Sequence, residues 1–511
     1  MQNHSDKYFR TYLLGKVIFR ILFTFLILSG VPLVSAQNNT LYLMHSIPQA
    51  NQLNPALMHP CRFYVSLPAI SSVKMNIRNT GFGYHDVFYT GTGDQPDNYY
   101  VDLDKLENKL RRINYGLVST EVDLLGFGFP VKDWYITFGI FSYTSSQASY
   151  PHDIVLLQDK YLDVNSGTAI PVSLKNLGVN STAWNSIGVS VSKEVKEGLR
   201  VGARVKYLNG MANVHTTTSL IDVNPTVDPA TQSVDVNYRI NSSLPLELSV
   251  APDGLVDSIS FEPARHNLAG NYIFNGNRGL AIDGGIVYKI DEATEVSASF
   301  TDLGFIRWKK NLNSFSVKEK FIFNATDLDQ FTTNPGHADL VNAIADSLLN
   351  SVYASTVTNS YFTATPFNLY GGITRELASN IKAGAMTWIE INSGHLRPSL
   401  TLSLNFTPFK AFAAALSYTL MNNKFNQIGT GLAFGNRGAQ FYIITDNIVV
   451  RYTKDAETSL VWPYNARMLS LRFGLNLFFG CDKKGNNKDR SDGNRHRAPK
   501  NKSRDSCAAY W

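Results

Sequence analysis

The sequence predicts an all-β fold, a transmembrane antiparallel β-barrel, and three observations support this prediction. Apolar and polar residues alternate with a period of two along many segments. These segments are about nine to eleven residues long, the length of a tilted strand that crosses a bilayer, whereas strands of soluble domains have about five or six. The chain is also poor in charge, with 17% charged and 44% hydrophobic residues.

The clearest alternation runs through residues 199–208 and 396–407. In 199–208 the apolar residues take one face of the strand, and Arg200, Arg204 and Lys206 take the other. The other predicted strands are 134–144, 186–192, 279–290, 295–304, 367–376, 380–390, 411–421, 427–435, 438–446 and 467–480.

Four ionisable residues are candidates for the barrel lumen, namely Arg200, Arg204, Lys206 and Asp283. An ionisable side chain inside a membrane domain is costly unless it faces water or a partner. These residues either orient an anionic or amphipathic solute, or form a salt-bridged filling that closes the barrel. We favour the filling as the simpler interpretation.

The first 36 residues have the layout of a secretory signal peptide. Lys16 and Arg20 flank a short apolar core, which is too short for a spanning helix, and small residues precede a cleavage site between Ala36 and Gln37. We therefore expect an exported chain with a signal peptide at 1–36, a barrel at 37–480 and a disordered tail at 481–511.

The segment 467–480 is the predicted last strand, and it ends in aromatic residues just before the tail. Barrel-assembly machinery commonly recognises a terminal strand of this kind, so we expect that machinery and outer-membrane lipid to be partners. The tail is rich in Lys and Arg and has few apolar residues, which is typical of a solvated extension.

Charge and motifs argue against several function classes. The net charge of +6 divides into +3 in residues 1–36, +5 in 481–511 and −2 in the body, so the folded part offers no basic face for nucleic acid. The serine hydrolase elbow, the zinc protease motif and the phosphate-binding loop are all missing from the sequence. We predict no enzyme, no cofactor, no metal and no catalytic residue.

Two regions interrupt the alternation. Residues 91–118 are polar, and Val101 to Ile113 could form a short amphipathic helix. Residues 311–365 form a loop insertion, within which apolar residues at 340–349 have helical spacing. Both regions fit long loops or a plug.

Several motifs resemble an uncharacterised family of Gram-negative outer-membrane barrels. That family is similar in architecture to the long-chain fatty acid transporter FadL and to the type IX secretion barrel proteins PorV and PorP. The motifs cover nearly all of the mature chain up to about residue 480. Their most telling residues are Asn54, Pro55 and Ala56 before the first strand, Asp302, Gly304 and Trp308 in the middle, and Asp446 and Asn447 near the end.

The resemblance implies an outer-membrane barrel of roughly 14 strands with FadL-like architecture. It implies no substrate, because the family has no established activity. The chain departs from the expected pattern at Asn185, where an acidic residue would pair with Arg200 or Arg204.

Two function hypotheses follow. The first is passive passage of a hydrophobic or amphipathic solute, since no energy-coupling motif is evident near Gln37. The second is a non-transporting scaffold that docks a periplasmic or surface partner through 311–365 and 481–511. A continuous apolar groove in the lumen would favour transport, and a filled polar lumen would favour the scaffold.

Overall fold

The computed structural model describes most of the chain between residues 39 and 480. The predicted signal peptide with its cleavage site, the predicted helical part of the insertion and the predicted disordered tail lie outside the described residues. The residues that the structure describes are 39–59, 63–83, 87–90, 99–156, 162–163, 168–225, 231–260, 266–267, 269–273, 275–324, 351–356, 359–392, 394–409, 411–421, 425–435, 438–448, 452–454, 461–463 and 468–480.

The described residues form the following strands, numbered in chain order. They are β1 (Phe63–Ser66), β2 (Val73–Asn79), β3 (Phe88–Thr90), β4 (Tyr99–Val101), β5 (Ile113–Val131), β6 (Trp134–Pro151), β7 (Leu162–Asp163), β8 (Thr168–Ala169), β9 (Val172–Ser173), β10 (Gly178–Lys196), β11 (Leu199–Pro225), β12 (Thr231–Ser243), β13 (Glu247–Val250) and β14 (Val256–Ser260). The second half of the chain adds β15 (Arg278–Lys289), β16 (Thr294–Trp308), β17 (Leu312–Asn324), β18 (Tyr353–Thr356), β19 (Tyr361–Ala364), β20 (Phe367–Ala378), β21 (Ile381–Asn392), β22 (His395–Phe409), β23 (Phe412–Met421), β24 (Phe425–Phe434), β25 (Ala439–Thr445), β26 (Tyr452–Lys454), β27 (Val461–Pro463) and β28 (Met468–Phe479).

A closed antiparallel barrel of 14 strands is the main architecture. Two positions of the ring are each filled by two short strands, namely β1 with β2 and β19 with β20. The order around the ring is β1 with β2, β5, β6, β10, β11, β15, β16, β19 with β20, β21, β22, β23, β24, β25 and β28. The last strand closes the ring because β28 pairs with β1 from Phe63 opposite Phe479 onward and with β2 from Val73 opposite Phe473 onward. Closure leaves the ring without an open sheet edge.

The two ends of the barrel differ in their connections. Phe63 and Phe479 lie side by side at one end, together with tight turns such as the one between β10 and β11, where Gly198 has φ of +75°. We call this the short-turn end. The other end carries the longer connections, including residues 80–112 and 309–366, and we call it the long-connection end.

The predicted strands are all present, and the strand count agrees with the prediction. Several strands are longer than predicted, since the alternation at 199–208 is only the first part of β11, which has 27 residues. The sequence pattern missed β1, β2 and β5. In β5, both faces mix small, polar and apolar residues, so the period of two is weak there.

The two faces of the ring are chemically opposite, as the alternation predicts. In β11, Val201 and Val205 face outward and are 36% and 60% exposed, whereas Arg200, Arg204 and Lys206 face inward and are buried. The strand β22 repeats the pattern, with Leu400 and Leu402 outward and Ser399, Thr401 and Ser403 inward. An apolar outer surface with a polar interior is the arrangement of barrels that sit in lipid.

One side of the barrel rises beyond the ring at the long-connection end. The second half of β11 leaves β15 and pairs with β12, which pairs with β17, which in turn pairs with the short β18. At the branch point, the amide oxygen of Asn277 accepts hydrogen bonds from the amides of Lys309 and Lys310 at 2.8 and 3.0 Å. These bonds satisfy backbone groups where the chain changes strand partners.

The region 311–365, predicted as a loop insertion, is therefore partly strand. Leu312–Asn324 forms the whole of β17, and β18 and β19 lie within the same range. The alternation in β17 was overlooked because charged residues occupy the middle of the strand, at Lys318, Glu319 and Lys320.

The predicted helix between 101 and 113 is present as α2, Leu103–Lys109, after the single-turn helix α1, Asn39–Tyr42. The side chain of Asp102 caps α2 by accepting a hydrogen bond from the amide of Lys105 at 2.9 Å. Leu103 and Leu106 pack against Val87 and Val155. Among the described residues, no helix has both the length and the apolar character needed to cross a bilayer.

Ring closure predicts a heat-modifiable protein. A closed barrel in detergent resists unfolding until it is boiled, because its backbone hydrogen bonds form a continuous ring. We expect the extracted full-length chain to migrate faster in a gel before boiling than after it. Identical migration of the two samples, with the chain found in the soluble fraction, would contradict the barrel.

Candidate functional site in the barrel lumen

The N-terminal segment 39–57 lies inside the ring, and we call it the plug. It contains α1 and a 3-10 helix, Pro48–Gln52, joined by tight turns. Nearly all of its residues are buried, including Leu41, Ile47 and Ala56 at 0%, 1% and 0% exposure. A segment with no regular alternation is thus one of the least exposed parts of the protein.

One face of the plug is apolar and packs on an apolar part of the inner wall. Tyr42 stacks on Tyr370 of β20 with ring centroids 5.2 Å apart. Other plug residues in this cluster are Leu41, Leu43, Met44, Ile47, Ala50, Leu53, Ala56 and Leu57. The wall supplies Val287, Met386, Trp388, Ala415, Met421, Ala433, Tyr442 and Ile444 from β15, β21 and β23 to β25.

The opposite face of the plug is polar and faces charged strands. Gln49 and Asn476 of β28 exchange two amide hydrogen bonds of 2.7 and 2.9 Å. Gln52 donates to the carboxylate of Asp123 at 3.0 Å and accepts from Arg472 at 3.2 Å. The plug is therefore amphipathic, and each of its faces matches the wall beside it.

The start of the plug is held by a buried carboxylate. Asp446, which follows β25, accepts a hydrogen bond of 2.8 Å from the amide of Thr40. The Thr40 hydroxyl also bonds to Asp446 and lies 2.7 Å from the hydroxyl of Ser417. Asn447 next to it donates to the carbonyl of Met468 and so joins the end of β25 to the start of β28.

The Asn54-Pro55-Ala56 motif lies directly on the barrel wall. The Asn54 side chain accepts a hydrogen bond from the amide of Ala56 at 3.0 Å, which fixes a tight bend. The bend fits because two wall residues are glycines: a Cβ on Gly202 would lie 2.3 Å from the Pro55 carbonyl, and one on Gly285 would lie 2.0 Å from the Asn54 oxygen.

The four predicted lumen residues are all buried, and three of them meet in one cluster. The Asp283 carboxylate lies 3.1 Å from Arg204 and 2.8 Å from Lys206. Lys206 also pairs with Asp302 at 2.7 Å. Arg204 reaches the plug, where it donates to the backbone carbonyl of Asn51 at 2.9 Å. This cluster joins two strands of the wall to the plug.

A bulge in β16 completes the cluster. Asp302 has φ of +62° at a register shift between β15 and β16, so its amide points at Asp283 and donates a hydrogen bond of 2.8 Å. Gly304 follows two residues later, where a Cβ would lie 2.3 Å from the carbonyl of Leu280. Trp308 is fully buried and donates to Thr363 at 2.8 Å.

Arg200 is separate from this cluster and lies closer to the short-turn end. It pairs with Glu295 at 3.1 Å, and the ring of His45 in the plug lies 3.5 Å from the same carboxylate. Asn185 supplies no partner for Arg200 or Arg204, since Glu295 and Asp283 take that place. Burial lowers the pKa of the neighbouring plug-end residue His59 to about 4, and its ring stacks on Phe478 at 4.5 Å.

Two further charge clusters were missed by the sequence interpretation. Arg472 of β28 pairs with Glu121 at 2.9 Å, and Lys74 lies 3.6 Å from the same carboxylate. The sequence does indicate that Arg472 faces the lumen, because it lies between Leu471 and Phe473, which the alternation predicts to face outward.

The second missed cluster lies nearer the long-connection end. Glu390 accepts from Arg78 at 2.9 Å and from Arg397 at 3.2 Å, and Arg397 also bonds to the side chain of Gln147. Glu390 and Arg397 were both on the polar side of predicted strands, but β2 and β6 had to be placed around the ring before the cluster could be recognised.

Together these contacts describe a lumen that holds the plug and three clusters of buried ion pairs. Within the part of the chain that the structure describes, no group of three or more His, Cys, Asp or Glu residues could hold a metal ion. The arrangement can hold an amphipathic segment between an apolar wall and a charged wall. Such an arrangement can bind and orient a segment or a molecule with one apolar and one polar face.

Substitution of Asp283 should strongly destabilise the barrel. Asp283→Asn removes the carboxylate that pairs with Arg204, so the buried guanidinium loses its counter-charge. Breaking a buried ion pair in this way costs about 3–5 kcal/mol of stability. The urea midpoint of the gel-shift transition should fall clearly below that of the control Glu292→Gln, an exposed residue in the turn between β15 and β16. Equal midpoints for the two variants would refute a structural role of the pair.

The fit of the plug on Gly202 can be tested by adding bulk. Gly202→Val should displace the bend at Pro55, since overpacking costs about 1–3 kcal/mol, and chymotrypsin should then cut within 39–57 about tenfold faster. The matched control is Gly116→Val in β5, because a Cβ there meets nothing within 4 Å. Equal cleavage of both variants and the wild type would mean that the plug does not rest on this wall.

Comparison with solved structures gives many matches at low sequence identity, three of which follow. The Ralstonia pickettii toluene transporter TbuX is 9% identical, with 88% of this chain and 96% of that chain covered and a TM-score of 0.38. A Pseudomonas aeruginosa FadL homologue is 11% identical, with coverages of 88% and 99% and a TM-score of 0.39. The P. putida toluene transporter TodX is 9% identical, with coverages of 88% and 96% and a TM-score of 0.36.

No curated protein matches the sequence. A family model does match, over residues 55–446, and its range starts at Pro55 in the plug and ends at the buried carboxylate that holds Thr40. The match therefore includes the wall strands from β1 to β25 and the end of the plug that contacts Gly202, and it stops before β28. It covers well over half of the 511 residues. The chain belongs to the family of unknown function DUF5723.

Proposed function

We propose that the protein is an outer-membrane barrel that passes a hydrophobic or amphipathic solute when its plug moves. The observation that carries this proposal is the division of the inner wall beneath the plug. Tyr370, Met386 and Ile444 line one side of that space, and Arg204 and Asp123 line the other. A solute with an apolar body and a polar head would find the same complementary surfaces that the plug now occupies.

The location follows from the outer surface of the ring. Leu402, Leu404 and Leu416 on neighbouring strands are each more than half exposed in the isolated chain. Apolar side chains at this density need lipid around them, because contiguous exposed apolar surface is unfavourable in water. Outer-membrane lipid and the barrel-assembly machinery are the partners of this proposal, and the signal peptide 1–36 provides export.

The plug can be released without unfolding the wall. Its hydrogen bonds to the wall run mainly through side chains such as Gln49, Gln52 and Arg204, and the ring closes through β28 and β1 without it. Passage would be passive, and the rate would follow the solute gradient.

Uptake of a hydrophobic fluorophore tests this proposal. Host cells with an intact outer membrane exclude N-phenyl-1-naphthylamine, whose fluorescence rises when it enters apolar surroundings. Asp446→Asn removes the charge that holds Thr40, so we expect uptake several-fold above wild type, and deletion of 39–57 should raise it further. The control is Asp235→Asn, whose carboxylate is exposed in the wall beyond the ring.

Both variants must first show heat-modifiable migration and equal amounts in the membrane. If cells with the intact but plug-deleted barrel take up no more dye than cells without the protein, transport of this class of probe is excluded. That result would favour the second candidate function described next.

The second candidate is a scaffold that docks a periplasmic or surface partner. The observation that favours it is the filled lumen, in which Asp283, Glu121 and Glu390 are all neutralised by buried cations. The wall of β12, β17 and β18 beyond the ring offers a surface for such a partner. Loss of a co-purifying protein on deletion of 481–511, with the barrel still heat-modifiable, would support docking, and unchanged co-purification would contradict docking through the tail.

A further inference from the structure

Two arginines face each other on the outer surface of the barrel. Arg278 begins β15 and lies directly opposite Arg307 of β16 in the antiparallel register. Both are exposed and share the outward face of their strands with Leu280 and Phe305. Like charges directly opposite each other on neighbouring strands are destabilising, so this placement needs a physical reason.

More positive charge adjoins the pair. Lys309 and Lys310 follow β16 directly, and both side chains are exposed. No ion pair with a carboxylate forms at any of these four cations among the described residues, although Asp283 and Asp302 neutralise the inward-facing cations of the same strands. Within the described part of the chain, the outer face therefore concentrates positive charge at one place.

The arginines are held in place by aromatic rings. The guanidinium of Arg278 lies 6.0 Å from the ring centre of Tyr207, and that of Arg307 lies 5.6 Å from Phe362. Arg307 also donates to the hydroxyl of Ser360 at 3.0 and 3.1 Å. These contacts orient both guanidinium groups before any ligand arrives, which lowers the entropic cost of binding an anion.

The position of the four cations along the barrel axis, relative to the apolar belt, restricts the kind of ligand that they can bind. Leu280 and Phe305, which are 55% and 47% exposed, lie two residues nearer the short-turn end than Arg278 and Arg307, and Phe362, which is 59% exposed, lies opposite Arg307. Cations just beyond an apolar belt lie at the depth of lipid headgroups. The long-connection end is the outer one in a barrel whose chain ends and short turns face the periplasm.

We propose that Arg278 and Arg307, with Lys309 and Lys310, bind the phosphate of a phosphorylated lipid headgroup in the outer leaflet. A guanidinium offers two parallel donors to phosphate oxygens, and a negatively charged headgroup over these two strands offsets the repulsion between the two arginines. The acyl chains of the lipid would lie along Leu280 and Phe305. This inference rests on the outer-membrane location in the proposed function but is independent of transport.

A binding assay with two matched lipids tests the site. The probe is a fluorescent, acylated glucosamine disaccharide that carries phosphates, and its control is the same lipid without phosphates. Binding to the purified full-length protein in nonionic detergent should be tight for the phosphorylated lipid and should weaken as salt rises. The double variant Arg278→Gln with Arg307→Gln should weaken it at least about tenfold.

A matched variant separates this site from general charge effects. Arg375→Gln removes an exposed arginine from β20 near the short-turn end, and it should leave lipid binding unchanged. Inorganic phosphate at millimolar concentration distinguishes a free anion site from a lipid site. Full competition by inorganic phosphate would overturn the lipid assignment, and equal binding of both lipids by the wild type would overturn the phosphate assignment.

Stability measurements distinguish binding from a structural role. In neutral detergent the double variant should unfold at the same urea concentration as wild type or a higher one, because it removes a repulsion. A clear loss of stability there would mean that the arginines serve the fold, which contradicts the proposal. Heat-modifiable migration of every variant shows that a loss of binding reflects the site and not a failure to form the barrel.

Discussion

Pairing of the charges inside the ring is the constraint on which the rest of the structure depends. A buried carboxylate or guanidinium is tolerated only where opposite charge and hydrogen bonds surround it. Asp283, Glu121 and Glu390 each meet two basic side chains, and each cluster joins strands that are distant in sequence. Two of the clusters join neighbouring strands of the wall, whereas the pair of Arg78 and Glu390 connects β2 with β21 across the lumen. The space left between these clusters is the one that the plug fills.

Complementarity between the plug and the wall follows from that arrangement. The buried ion pairs lie on β2, β5, β11, β15, β16, β21, β22 and β28, whereas β20 and β23 to β25 supply much of the apolar wall on which Leu41 and Ile47 pack. The plug contains no Asp, Glu, Lys or Arg, and it presents amides such as Gln49 and Gln52 to the charged strands. It can therefore satisfy the charged wall without disturbing the balance of the ion pairs.

The alternation in the sequence predicted most of the ring, because each strand has lipid on one side and the interior on the other. The same rule put Arg204, Lys206 and Asp283 on inward faces, where the structure has them together, while their role stays a prediction. The plug could not be predicted this way, since residues 39–57 are buried on all sides and carry no period. The pairing of Glu390 with Arg78 could not be predicted either, because it depends on the order of the strands around the ring, which no local sequence pattern encodes.

The anchoring of Thr40 has a consequence for export. Thr40 lies four residues after Ala36, so almost no slack separates the predicted scission point from the first residue held by Asp446. If processing takes place after Ala36, a precursor still tethered to the inner membrane by its leader has its first anchoring residue too close to that membrane to enter the barrel. The plug would then enter the lumen only after the leader peptidase has cut the precursor. Cleavage of the precursor and filling of the lumen would therefore follow each other in a fixed order.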